Sequence, residues 1–336
     1  MLNYFPPLNS LASSSTWYNA DVKAPRPTSI AGRNLRYDFD LTPPHVWQIF
    51  RTAKRLKSMQ KSGKPHELLK GKSLAMIFEK PSTRTRVSFE VGMTELGGHA
   101  LFLGPNDLQL SRGETIADTA RVLSRYVDAI MARVYKQETI EELARFSTVP
   151  VINGLSDRFH PCQALTDIFT VWEKRESLNN LTMTFIGDGD NNVTNSLLLL
   201  SSRLGINFTI TCPKIYNISQ DILKKAQIEA KQTGSRITVT TDTYEAVKHA
   251  DAIYTDVWVS MGRSHTRERK KALHPYQVNK KLLAQAPKGA LVMHCLPAHR
   301  GEEITDEVID SAQSIVFEQA ENRLHVQKAL LSLLIS

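Results

Sequence analysis

SLAMIFEKPSTRTRVSFEVGMTELGGHALFLG, residues 73–104, decides the fold. It opens on a short apolar run, SLAMIF (73–78), bounded by a turn, which reads as a buried strand. A helical stretch follows and stops at Gly97 and Gly98, a usual way for a helix to end. A second apolar run, ALFLG (100–104), completes a strand–helix–strand unit. The turn between the first strand and the helix is unusual. It packs Arg84, Arg86, Ser82, Thr83 and Thr85 into five residues.

The same unit recurs along the chain. Strand-like runs are AIMARV (129–134), VPVIN (149–153), TMTFIGD (182–188), NFTITC (207–212), ITVTT (237–241), AIYTDV (252–257), ALVMHCLP (290–297) and SIVF (314–317), with helical stretches between most of them. Strands alternating with helices of ten or more residues predict parallel sheets covered on both faces. The strands are too many for one small sheet. The expectation is therefore α/β, with two doubly wound parallel-sheet domains joined by long helices. An N-terminal extension covers 1–34, a first domain 35–168 and a second domain 169–317. A last helix, 318–336, is expected to pack back on the first domain. Residues 42–63, TPPHVWQIFRTAKRLKSMQKSG, begin with a Thr cap and an early proline and continue at helical spacing.

Composition sets limits. The chain has 336 residues, 41% hydrophobic and 23% charged, enough to bury a large core without metal or disulfide staples. No apolar run approaches the ~20 residues that cross a bilayer, so no membrane partner is expected. The three cysteines, Cys162, Cys212 and Cys295, are odd in number and scattered, which predicts a reducing compartment. The net charge of +8 favours anionic partners, nucleic acid or a small phosphorylated substrate alike. Residues 1–34 are rich in Pro, Ser and Asn. They read as an extended arm, with a Ser-rich, acid-poor character like a transit-peptide remnant, although the first twenty residues hold no Lys or Arg. A cytoplasmic location is expected, or an organelle matrix if the arm is a targeting remnant.

A helix N-terminus carries free N–H groups and the positive end of the helix dipole, so it attracts phosphate. Hydroxyls and guanidiniums on that turn add directed donors, and an arginine grips phosphate with two hydrogen bonds. A Ser82 cap with solvated arginines explains the turn as well, but its place after a strand terminus is where open α/β sheets bind ligands. Three more strand ends point the same way. Arg133 stands inside an apolar strand, where a charge is costly unless paired with a ligand or an acid. His160 and Gln163 lie between a strand and a helix. Cys295, Leu296 and Pro297 end a buried strand; a free Cys is most often a small core hydrophobe, but this one stands at a strand mouth.

STRTR (82–86), HPCQ (160–163) and HCLP (294–297), in this order, resemble the aspartate/ornithine carbamoyltransferase family. DVWVSMG (256–262) is similar to the segment that binds the amino-acid chain of ornithine. LGGHALFLGPNDLQL (96–110), DTARVLSRY (118–126) and QAENRLHVQKAL (319–330) also fit, so the resemblance covers roughly residues 35 to 334. It implies transfer of the carbamoyl group of carbamoyl phosphate to the δ-amine of L-ornithine, giving citrulline and phosphate. By resemblance Ser82, Thr83, Arg84 and Thr85 hold the phosphate, with Gln109 assisting. Arg133, His160 and Gln163 bridge phosphate and carbonyl oxygen, and Arg323 completes the pocket. Asn192, Asp256, Ser260 and Met261 grip the α-amino and α-carboxylate groups of ornithine, and Cys295 and Leu296 lie between the substrates. Arg133, His160, Asp256 and Cys295 are the expected catalytic residues. No metal and no organic cofactor is expected, and a homotrimer or stacked trimers is implied.

This agrees with the chemistry. A free alkyl amine has a pKa near ~10.4 and must be neutral to attack, so Asp256 and Cys295 are the candidates for steering its proton. Negative charge then grows on the carbonyl oxygen, where Arg133, His160 and Thr85 form an oxyanion site. Residues 263–271, RSHTRERKK, are more basic than the family pattern and read as a solvated face. Carbamoylation of putrescine or an acylated ornithine is the alternative within the class. A basic nucleic-acid-binding protein on the same fold is the alternative outside it. That reading predicts broken site motifs and aromatics interleaved with the basic run, and neither occurs; no nucleic-acid partner is expected.

Overall fold

The computed structural model describes residues 28–109, 113–259 and 267–335. Most of the N-terminal extension, and Ser260 and Met261, therefore lie outside the described residues. The strands are β1 (Ser73–Phe78), β2 (His99–Leu103), β3 (Ala129–Arg133), β4 (Val151–Leu155), β5 (Thr182–Ile186), β6 (Asn207–Thr211), β7 (Ile237–Thr240), β8 (Ala252–Thr255) and β9 (Leu291–His294). The helices are α1 (Pro43–Lys61), α2 (Thr83–Glu95), α3 (Ile116–Leu123), α4 (Gln137–Phe146), α5 (Pro161–Arg175), α6 (Asn192–Arg203), α7 (Gln220–Thr233), α8 (Thr243–Val247), α9 (Arg267–Leu273), α10 (Lys280–Leu283), α11 (Asp306–Ile309) and α12 (Val316–Leu334).

Two all-parallel sheets result, ordered β2-β1-β3-β4 and β7-β6-β5-β8-β9. Strands inside them, such as β1, β3 and β5, are buried almost throughout, which is why they read as continuous apolar runs. The edge strands β2 and β7 hold only exposed and partly buried positions. Each sheet reverses its winding once. In the first sheet the chain runs outward from β1 to β2 and then crosses to β3. In the second it runs from β5 through β6 to β7 and then crosses to β8. The carboxyl ends of β1 and β3, and of β5 and β8, are thus the two switch points, where loops part and leave a crevice.

Local chemistry sets the element ends. Thr42 caps α1, accepting from the His45 backbone while its own N–H donates to His45 Nδ1 at 3.3 Å. Gly97 adopts φ +79°, and a Cβ on Gly98 would lie 2.5 Å from Met93 Cε, so this pair both ends α2 and lets β2 start close against it. The expected strand SIVF (314–317) does not form. Its Ser314 makes one isolated bridge to Val292, and Val316 already begins α12. The apolar run is real, but the chain must leave the second sheet there to send α12 back across the molecule.

That return is held by polar pins. The helix α12 packs against α1, α2 and α5. The fully buried Lys328 donates from Nζ to Glu95 Oε2 at 2.5 Å, with His66 Nε2 at 3.1 Å. Lys57 Nζ donates to Glu173 Oε2 and to Asn322 Oδ1, each at 2.7 Å. Buried charges tolerate only a register in which they are paired, so these contacts set where Arg323, the neighbour of Asn322, comes to rest.

Candidate active site

Both switch points open into one cleft of about 890 Å³ between the sheets. From the first sheet come the start of α2, the end of β3 and the start of α5. From the second come the start of α6 and the ends of β8 and β9, while α12 supplies Arg323. Ser82, Thr83, Arg84, Thr85, Arg133, His160, Gln163, Asn192, Asp256, Cys295, Leu296 and Arg323 all line it. Gln109 is exposed and does not line it.

The α2 end is built for an anion. Ser82 Oγ accepts from the Thr85 N–H at 3.3 Å, while Thr83 and Arg84 are left with first-turn N–H groups. The neighbouring Arg86 turns away; it is exposed, pairs with Glu90 at 3.1 Å and lies over the Phe102 ring. Arg133 pairs in register with Phe78 at the last rung of the first sheet and is 8% exposed. Its Nε has no partner among the described residues, and burial, then Arg323 and Arg84, push its pKa down to about 10. A buried guanidinium beside two others, with no carboxylate bridged to it among the described residues, is suited to hold negative charge.

Around it the donors are fixed. Arg323 donates from Nη1 to Gln163 Oε1 at 2.5 Å and from Nη2 to Thr85 Oγ1 at 3.1 Å. The backbone N–H of His160 donates to Ser196 Oγ at 2.9 Å, and Ser196 donates to the buried Asp38 at 2.6 Å. His160 is held well below its ordinary pKa by burial and then by Arg323 and Arg133, so its ring is neutral. Its Nδ1 has no partner among the described residues.

The facing wall is acidic and hydrogen-bonded. Asp256 is 5% exposed; it accepts from Cys295 Sγ at 3.0 Å, from its neighbour Val257 N–H at 2.8 Å and from Asn191 Nδ2 at 3.4 Å. Burial pushes its carboxyl up. Part of Cys295 faces the cleft, yet its sulfur is crowded by protein, and burial followed by the Asp256 charge pushes the thiol well above its usual range. Cys295 is therefore a hydrogen-bond donor and not a thiolate. Leu296 takes a left-handed φ of +57°, with its N–H given to His294 Nδ1 at 2.8 Å. That N–H makes Nδ1 the acceptor, so Nε2 carries the proton donated to Glu303 Oε1 at 3.1 Å.

Sequence reasoning missed three residues. Lys80 lines the cleft, is 5% exposed and lies over the Tyr135 ring at 4.6 Å; its place straight after β1 was the available signal. Asn191, one residue before Asn192, caps α6 and holds Asp256, whereas Asn192 Nδ2 donates to Ser156 O at 2.7 Å. Asp167 is fully buried behind Gln163; its i,i+4 spacing from that amide was the signal.

The chain matches two family models: the aspartate/ornithine carbamoyltransferase carbamoyl-P binding domain over residues 33–173, and the Asp/Orn binding domain of the same family over residues 179–334. It is 56% identical over 308 residues to the ornithine carbamoyltransferase of Pyrococcus abyssi, covering 91% of this chain and 97% of that protein. It is also 56% identical to the Pyrococcus furiosus protein named anabolic ornithine carbamoyltransferase, over 306 residues, 91% of this chain and 97% of that one. Among solved structures, the ornithine carbamoyltransferase of Pyrococcus furiosus superposes with a TM-score of 0.89 at 56% identity, covering 92% of this chain and 98% of that one. The Thermus thermophilus ornithine carbamoyltransferase superposes with a TM-score of 0.81 at 40% identity, covering 90% and 99%.

Proposed function

The chain belongs to the aspartate/ornithine carbamoyltransferase family, and from that premise we propose how its cleft works as an ornithine carbamoyltransferase: carbamoyl phosphate and L-ornithine become citrulline and phosphate. The observation that carries the reading is the cationic pocket of Arg84, Arg133 and Arg323 facing the buried Asp256–Cys295 pair across one cleft. The phosphate lies on the first turn of α2, held by the free N–H groups, the Ser82, Thr83 and Thr85 hydroxyls and the Arg84 guanidinium. The δ-amine attacks the carbamoyl carbon, forming the C–N bond. The carbonyl oxygen gains negative charge beside Arg133, the neutral His160 ring and Thr85. The C–O bond to phosphate then breaks, its electron pair leaves with the phosphate oxygen, and that oxygen takes the proton the amine gives up, so citrulline and hydrogen phosphate result. Asp256 and Asn192, with Ser260 and Met261, hold the α-groups of ornithine. Residues 35–168 with the returning helix hold carbamoyl phosphate, and 169–317 hold ornithine.

An assay for citrulline from carbamoyl phosphate and ornithine, with putrescine, aspartate and acetylornithine beside it, tests this. Turnover of ornithine alone is expected; equal turnover of putrescine would remove the α-group contacts from the reading. Asp256→Asn keeps the shape but removes a charge. Charge-assisted bonds are worth about 1.5–3 kcal/mol, so the KM for ornithine should rise about 10- to 150-fold while the KM for carbamoyl phosphate holds. An effect on carbamoyl phosphate alone would reverse the two half-sites.

The pH dependence separates the amine from the thiol. The amine is mostly protonated at neutral pH, so turnover should rise from pH 6 into the alkaline range. Burial keeps Cys295 protonated across that span. Cys295→Ser should lower turnover yet leave the slope of the profile unchanged, and a flat profile in that variant would make the thiolate the base.

A homotrimer in the cytoplasm, in the anabolic direction, is part of the same reading. Val87 and Val91 on α2 and Leu101 on edge strand β2 leave apolar surface exposed. The exposed Gln109, away from its own cleft, then serves the phosphate pocket of a neighbouring subunit. Three free cysteines suit a reducing compartment. Sedimentation mass checks the assembly: a single-chain mass in active enzyme would rule it out.

A further inference from the structure

The mechanism above leaves Asp167 without a role, although it is a fully buried carboxylate at the back of the substrate pocket. Its Oδ1 accepts from Gln163 Nε2 at 2.7 Å and from Gln319 Nε2 at 2.6 Å. Its Oδ2 has no partner among the described residues, and no cation forms an ion pair with it there. Burial pushes its carboxyl up to about 7 against the hydrogen bonds of Gln163 and Gln319, and such a buried carboxyl is an expensive way to anchor a helix. What the carboxylate does achieve is directional. An amide is nearly symmetric in shape, and its two ends differ only in what they hydrogen-bond. Its Oδ1 accepts from both amides, so a proton on the carboxyl sits on Oδ2, and in either charge state Oδ1 claims the NH₂ end of Gln163. The carbonyl end is left to accept from Arg323 Nη1 at 2.5 Å, and its second lone pair is available in the cleft that Gln163 lines.

We propose that Asp167 is a specificity-determining positioning residue: by fixing the amide of Gln163 with its oxygen toward the cleft, it makes the pocket demand an N–H donor on the acyl carbon of the bound acyl phosphate. This rests on the proposed function and deepens it. Carbamoyl phosphate carries an NH₂ group at that carbon and satisfies Oε1. Acetyl phosphate carries a methyl group of similar size and leaves the second lone pair of that buried oxygen without a donor, a mismatch that discriminates between the two. Without Asp167 only Arg323 Nη1 orients the amide, and in the turned orientation its NH₂ would face the carbamoyl NH₂, donor against donor, so the preference would fall away. Gln319 shares the same oxygen and also accepts the His294 N–H at 3.1 Å, which ties this arrangement to the strand that ends in Cys295.

The test is the ratio of the acetyl phosphate inhibition constant to the carbamoyl phosphate KM, measured in the citrulline assay. Wild type should show a ratio of about tenfold or more. Asp167→Leu, similar in size but without acceptors, should bring it to within about threefold of unity, mainly through weaker carbamoyl phosphate binding. Asp167→Asn can still accept from both amides at one oxygen and should restore the wild-type ratio. If the leucine variant is not recovered folded, Asp167→Ser, too short to reach Gln163, replaces it with the same expected collapse. A merely structural role would change turnover or stability in all variants and leave the ratio alone. A folded Leu or Ser variant with the wild-type ratio, or an Asn variant that fails to restore it, overturns the proposal. Wild type that makes no citrulline at all would instead refute the function on which it rests.

Discussion

Arg133→Met lowers citrulline turnover by about 10²–10³-fold, the loss expected when one preorganised donor to a developing oxyanion is removed. The KM for ornithine should change little, because in the proposed mechanism the guanidinium serves the carbonyl oxygen and phosphate and not the amino-acid chain. The same variant should fold at least as well as wild type. Arg133 is a buried cation whose neighbours are Arg84 and Arg323, and burial with their repulsion already lowers its pKa to about 10. Replacing it with an apolar chain removes that cost. Steady-state kinetics and thermal unfolding together decide the point. Wild-type turnover in the variant would take Arg133 out of the oxyanion site, and a large drop in melting temperature would make it a structural residue.

Glu95→Leu is expected to cost about 3–5 kcal/mol of stability, because it leaves the fully buried Lys328 ammonium without its carboxylate. Glu95→Gln keeps an acceptor and should lose less. The pH dependence has a defined sign. Burial raises the Glu95 carboxyl, but the hydrogen bond and charge of Lys328 outweigh it, and the net shift is downward. A depressed folded pKa contributes stability that is present above the unfolded value, near ~4.3, and is lost as pH falls through the folded one. Urea unfolding of wild type should therefore weaken below about pH 4, and Glu95→Leu should show less of that weakening. An unchanged unfolding midpoint in Glu95→Leu would mean that Lys328 is satisfied by His66 alone and that this pin does not hold α12. Because α12 carries Arg323, a loosened pin should also raise the KM for carbamoyl phosphate.

Much of this protein is legible along the chain because parallel strands covered on both faces must be apolar throughout. Nine of the ten strand-like runs, SLAMIF and AIMAR among them, form strands. SIVF fails because an apolar run marks burial and not partner: Ser314 touches β9 for one rung before the chain departs as α12. STRTR was readable because its donors are consecutive, so one turn of helix presents them together. Asp167 was not, since the role proposed for it depends on a buried oxygen accepting from an amide, and sequence spacing records neither burial nor which end of an amide it faces.

The sequence by itself determined the two α/β domains, the donor-rich turn at residues 82–85 and the strand ends that carry Arg133, Asp256 and Cys295, since each follows from local periodicity or from neighbours in the chain. Only the tertiary structure decided that these groups share one cleft, that Gln109 stands outside it, and that Arg323 reaches Thr85 across 238 positions of sequence. It also decided their charge states. The neutral ring of His160, the protonated thiol of Cys295 and the weakened proton affinity of Arg133 all come from desolvation and from charges brought close by folding. Those are properties of the surrounding volume, which a linear chain does not contain until it is packed.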